Sequence, residues 1–139
     1  MVKPIVGLFP MCADLLHAGH ILALKEAKDK CNYLIVALNT HPDGKKPVQS
    51  VMERYLQLGA VKFVDKVIPY QGKADMEFIA SALDYDIRFV GYDYMDKDWD
   101  GKKQEIERGI KACYINRNHG LSSSELKERI ITERNERNG

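Results

Sequence analysis

Ile5-Val6-Gly7-Leu8-Phe9, followed after a short interval by Ala13-Asp14-Leu15-Leu16-His17-Ala18-Gly19-His20, decides how this chain is read. An apolar run of strand length gives way to a segment with helical spacing, so a buried strand is predicted to turn into a helix. A helix opening there points free backbone N–H groups, and the positive end of its dipole, at whatever lies above the strand. That geometry suits a phosphate, and Gly19 lets one approach the backbone without a Cβ in the way. His17 and His20 are three apart, so both imidazoles are placed to face one anion. The alternative is a helix start with two solvated histidines.

The same alternation continues along the chain. Pro4–Phe9, Tyr33–Leu38, Asp65–Ile68, Ile87–Gly91 and Lys111–Ile115 read as strands, the third stopped by Pro69. Helices are predicted over Ala18–Lys30, Val51–Phe63, Ala74–Leu83, Gln104–Gly109 and Ser122–Arg137. Asn39–Ser50 carries Pro42, Gly44, Pro47, Lys45 and Lys46 without periodicity and reads as a loop. Strands alternating with helices predict an α/β domain, Rossmann-like, with a mostly parallel five-stranded sheet flanked by helices. Ligands of such sheets bind at the carboxyl ends of the strands, and each segment picked out for chemistry falls just after one.

Size and composition agree. The 139 residues, 45% of them hydrophobic, make one domain over 1–139 with a real core. A net charge of +1 argues for neither a nucleic-acid nor a membrane surface. The opening residues show no signal-peptide pattern, so a cytoplasmic setting is expected. Three cysteines, Cys12, Cys31 and Cys113, without a paired short spacing, fit reduced thiols.

Asp14-Leu15-Leu16-His17-Ala18-Gly19-His20 resembles the H-x-G-H signature of the nucleotidyltransferase superfamily, especially its small cytidylyltransferases of the glycerol-3-phosphate type. Arg117-Asn118-His119-Gly120-Leu121-Ser122-Ser123-Ser124 resembles that family's second motif, R-x-x-G-[IL]-S-[ST]-[ST], ahead of the last helix. The resemblance implies a single α/β domain and nucleotidyl transfer from a nucleoside triphosphate, CTP or in a close rival ATP, to a phosphorylated alcohol. Arg117, Gly120, Ser122, Ser123 and Ser124 stand where the family grips the triphosphate, with Ser122 and Glu125 also forming a capping box. His17 and His20 would donate to the phosphates. Lys45 and Lys46 fall on the loop where the family carries a functional lysine; a solvated surface loop is the alternative. Arg54 matches an arginine implied to reach the active site, beside a plain helix-surface reading. Lys62-Phe63-Val64-Asp65-Lys66-Val67-Ile68-Pro69 resembles the family's dimer-interface segment, which implies a homodimer with Lys62 directed at the neighbouring phosphate site.

Asp14 reads either as a helix cap or as a group that helps hold Mg²⁺, the expected cofactor, or orients the signature loop. Gly91-Tyr92-Asp93 and Asp98-Trp99-Asp100-Gly101-Lys102 resemble two halves of another family segment. Asp93 suits the exocyclic amine of a base, and Tyr94 or Trp99 a ring or a quaternary ammonium; a surface loop with a tryptophan anchor is the alternative. The family usually shows G-x-F-D before the histidines, where this chain has Met11-Cys12-Ala13, so the turn is expected to differ. A metal-binding protein using Cys12, His17, His20 and Cys31 is the reading from another class, weakened because a whole helix separates Cys31 from the rest.

Overall fold

The computed structural model describes residues 3–91, 94–116 and 123–138, without the side chains of 123–126 and 138. The order is β1 (Val6–Met11), α1 (Ala18–Lys28), β2 (Tyr33–Asn39), α2 (Val51–Gly59), β3 (Lys66–Tyr70), α3 (Gly72–Ala82), β4 (Ile87–Gly91), α4 (Lys102–Glu107), β5 (Lys111–Ile115) and α5 (Ser123–Asn138). The five strands form one sheet in the order β3-β2-β1-β4-β5, and every pairing is parallel. Strand order therefore reverses between β1 and β4, which makes the carboxyl ends of those two strands the place for a ligand.

The period-two alternation of β1 builds two cores. Phe9 and Met11 join Leu34, Val36, Leu38, Phe89 and Ile115 with Ala23, Leu24 and Ala27 of α1 and Leu58 of α2. Leu8 joins Ile35, Ala37, Met76 of α3 and Tyr85 on the opposite face. Gly7 is held to a bare Cα by this packing, because a Cβ there would lie 2.3 Å from the Phe89 ring.

Two prolines moved the strand boundaries. The first strand extends to Met11, through Pro10, rather than ending at Phe9. Its ladder with β4 is confined to Gly7↔Ile87 and Leu8↔Arg88, so Pro10, which lacks an N–H, comes after that ladder has ended. Pro69, expected to stop the third strand, lies inside β3 opposite Leu38. There β3 is the edge of the sheet, where a proline forfeits no ladder bond. The second helix also ends earlier than predicted, at Gly59; residues 61–64 form turns that fold Val61, Phe63 and Val64 against the first core. Phe63 and Ile68, which the interface resemblance brought to notice, thus pack largely within their own chain.

Candidate active site

The turn from β1 into α1 is built around two imidazoles. His17 is the N-cap of α1, and its Nδ1 accepts from Gly19 N–H at 2.9 Å. His20 reaches back, its Nδ1 accepting from His17 N–H at 3.1 Å. A capping box normally uses a hydroxyl and a carboxylate; here both acceptors are ring nitrogens, and the ring centroids are 4.1 Å apart. Backbone N–H groups only donate, so in each neutral ring the proton sits on Nε2. The box thus turns two ambiguous imidazoles into two rings with a fixed Nε2–H. It also uses the Gly19 N–H, so that donor is already engaged within the turn. Among α1 to α4, α1 alone has no acidic residue in its first turn; Glu53, Asp75 and Glu105 occupy that place in α2, α3 and α4. The positive end of α1 is not neutralised by an acid of its own first turn.

The turn before it is strained. Ala13 and Leu15 have φ of 56° and 50°, a left-handed conformation that disfavours side-chain-bearing residues by about 1–2 kcal/mol each. Asp14 stands between them. Its carboxylate accepts from Val48 N–H at 2.9 Å and Gln49 N–H at 3.0 Å, with Lys127 Nζ at 3.7 Å. Burial works against the charge, but those two N–H donors and the charges of Lys127 and Arg54 outweigh it and hold the pKa below the ordinary 3.8. The stability this adds is present above pH 3.8 and is lost as pH falls through the lower native value. Asp14 therefore orients the signature turn against residues 48–49 and has its oxygens engaged in doing so. Among the described residues no group of three potential ligands is placed to hold a metal ion. Cys31 instead donates to Ala27 O and packs against the first core. Among the described residues, the donor set does not fit a protein-held Mg²⁺.

Arg54 is neither on the surface nor facing outward. It is 2% exposed, and its guanidinium donates to four backbone carbonyls. Nη1 reaches Cys12 O at 3.1 Å and Asn39 O at 2.7 Å; Nη2 reaches Thr40 O at 3.0 Å, and Nε reaches Gln49 O at 3.3 Å. These carbonyls belong to the exits of β1 and β2 and to the end of the 40–50 loop. Sequence reasoning missed Gln49 and the capping box of α2, in which Ser50 Oγ accepts from Glu53 N–H and the Glu53 carboxylate from Ser50 N–H. The pattern Ser50-Val51-Met52-Glu53 carries that signature openly.

The chain matches the family model described as cytidylyltransferase-like over residues 8–129. It belongs to that family. It is 36% identical over 126 residues to the glycerol-3-phosphate cytidylyltransferase of Bacillus subtilis, covering 84% of this chain and 90% of that protein. It is 31% identical over 121 residues to the enzyme of that name from Staphylococcus aureus, covering 84% and 88%. The bifunctional protein HldE of Vibrio cholerae is 34% identical over 125 residues, 86% of this chain and 26% of that longer protein. Among solved structures, a lipopolysaccharide core biosynthesis protein from Thermoplasma volcanium superposes with a TM-score of 0.67 at 26% identity, covering 82% of this chain and 96% of the other. The chain is accordingly a nucleotidyltransferase.

The other expected residues of this cytidylyltransferase-like site fall in several places. Lys45 and Lys46 are exposed on the loop that Asp14 ties down. Tyr94 is exposed in the turn after β4. Trp99 is an anchor: its Nε1 donates to Glu105 at 2.8 Å, and the same buried carboxylate accepts from Tyr85 and, at 2.9 Å, from Arg88. The indole also lies edge-on to Tyr114, with Lys102 over its face. Lys62 sits over the Phe63 ring in the connection entering β3, at the sheet end away from the histidines. Asp93, Arg117, Gly120 and Ser122 lie outside the described residues, as do the side chains of Ser123 and Ser124, which open α5. No helix among the described residues is long and apolar enough to cross a membrane.

Replacing Arg54 by lysine should destabilise the fold by about 3 kcal/mol, because one ammonium cannot serve carbonyls on four sides and some are left buried without a donor. Denaturant unfolding of Arg54→Lys against the parent measures it; a loss below about 1 kcal/mol would remove Arg54 from its place as the tie between these segments.

Proposed function

We propose that this protein transfers a cytidylyl group from CTP to a phosphorylated alcohol, with glycerol 3-phosphate the favoured acceptor, releasing pyrophosphate. The observation that carries this reading is the imidazole capping box at an acid-free helix start, placed where the strand order reverses. The similarity to two glycerol-3-phosphate cytidylyltransferases at 31% and 36% identity supports cytosine and that acceptor.

An oxygen of the acceptor phosphate attacks the α-phosphorus, the bond from that phosphorus to the bridging oxygen breaks, and pyrophosphate leaves. No protein nucleophile is needed; the protein positions two anions and neutralises charge as it shifts to the bridging oxygen. The Nε2–H groups of His17 and His20 are the donors for that charge. Lys45 and Lys46 supply positive charge from the exposed loop, and Arg117 with Gly120, Ser122, Ser123 and Ser124 is assigned the triphosphate by its motif. Mg²⁺ enters with the triphosphate as part of the substrate, since magnesium keeps its waters and binds through substrate phosphates. Asp93 and Tyr94 are assigned the base side, beyond the end of β4.

Adenylyl transfer on the same scaffold is the second reading. The fold shared with a lipopolysaccharide core biosynthesis protein favours adding a phosphorylated sugar to the acceptors tested. Pyrophosphate release should appear with CTP, Mg²⁺ and glycerol 3-phosphate together. It should be weaker with ATP, or with phosphocholine, phosphoethanolamine or a sugar phosphate. His17→Ala and His20→Ala should each lower kcat by about 10²–10³-fold, the usual loss of one donor to developing charge. Faster turnover with ATP would replace cytosine by adenine, and near-parental kcat in either histidine variant would remove the histidines from the chemistry.

The homodimer belongs to the same proposal, resting on the exposed apolar face of α2. Met52 and Leu56 are 64% and 62% exposed one turn apart, with Tyr55 beside them. Leu56→Glu should give a folded single chain by light scattering. If the parent protein already has the mass of one chain, the dimer is wrong and Lys62 has no neighbouring site to serve.

A further inference from the structure

Of the groups that hold the strained turn from outside, Gln49 meets it at two consecutive positions. Leu15, held at φ 50°, donates its N–H to Gln49 Oε1 at 2.7 Å. The Gln49 N–H donates to Asp14 Oδ1 at 3.0 Å, and the Gln49 carbonyl accepts from Arg54 Nε at 3.3 Å. Side chain, amide and carbonyl of one residue thus meet the turn at two consecutive positions and the buried guanidinium beneath it. Gln49 is also where the loop bearing Lys45 and Lys46 comes back to the sheet, directly before the Ser50 cap of α2.

We propose that Gln49 is a positioning residue for the transfer reaction. Its Oε1 keeps Leu15 in the left-handed conformation from which the chain enters α1 with His17 at the N-cap. Its backbone fixes the lysine loop to that same turn, so the histidines and the lysines share one clamp. The amide is chemically apt: it offers a neutral acceptor beside the Asp14 carboxylate, where a second carboxylate would repel both Asp14 and a triphosphate. Which reaction Gln49 serves rests on the function proposed above; that it holds the turn does not.

Gln49→Leu keeps the bulk and removes the acceptor. The expected result is a kcat/KM for CTP lowered about 10–100-fold, as for a reacting group displaced by about an ångström. Tm should move by less than about 5 °C, while hydrogen exchange at the Leu15 amide accelerates. Adding Leu15→Gly to that variant should recover about tenfold of the lost kcat/KM, because glycine enters positive φ without the steric penalty that Leu15 carries. A residue that merely supports the fold would show no such rescue. Wild-type kcat/KM in Gln49→Leu, an unchanged Leu15 exchange rate, or a double variant no more active than the single one each overturns the proposal. If the parent protein transfers no nucleotidyl group to any acceptor, the function reading fails by itself. Leu15 exchange in parent and Gln49→Leu then decides alone whether Gln49 holds the turn.

Discussion

A single buried guanidinium organises the end of the sheet that carries the proposed site. Arg54 comes from α2, yet its donors meet carbonyls of Cys12, Asn39, Thr40 and Gln49, which leave β1, leave β2 and close the 40–50 loop. A cation removed from water is unfavourable unless its donors are satisfied, and carbonyls that have run past the end of a ladder need donors of their own. Each deficit answers the other. Asp14, whose pKa Arg54 helps to lower, brings a counter-charge to the same junction. The two strand exits are thereby kept at a fixed separation, and the turn above them is carried in one orientation.

On that base sits the histidine pair. An ordinary helix start would satisfy its N–H groups with a hydroxyl and a carboxylate, and the carboxylate would oppose any incoming phosphate. Imidazoles cap the helix without adding negative charge, and accepting at Nδ1 directs the remaining proton to Nε2. Capping at Nδ1 and the proposed phosphate contact at Nε2 therefore use opposite sides of the same rings. The strain at Ala13 and Leu15 belongs to this arrangement, since strained backbone persists where surrounding contacts over-determine it.

The layout of the sheet was legible because each buried strand is a short apolar run and each crossover carries its own periodicity. Ile87–Gly91 and Lys111–Ile115 have the bounds expected of them. Boundaries failed at Pro10 and Pro69, where local stop rules are overridden by position: one follows the end of a ladder and the other lies on an edge. The histidines were legible from spacing, but their use of Nδ1 was not, because it depends on backbone angles at residue 17. Arg54 could not be resolved from sequence, since its four acceptors come from segments brought together only by folding. Arg88 did carry a warning. An arginine inside the apolar run Ile87–Gly91 needs a buried partner, and Glu105 supplies it, with Tyr85 and Trp99 sharing the carboxylate. That sharing makes Trp99 an anchor for the loop after β4.

The protonation pattern of two rings tests the account most directly. Long-range proton–nitrogen correlation spectra at neutral pH, with the imidazoles assigned through His17→Gln and His20→Gln, report which ring nitrogen carries hydrogen. Both His17 and His20 should show a bare Nδ1 and a protonated Nε2, and the Nε2–H signals of both should move when CTP with Mg²⁺ is added. A proton on Nδ1 of either ring, or nucleotide binding that leaves both Nε2–H signals in place, would contradict the claim that the helix cap prepares these histidines as phosphate donors.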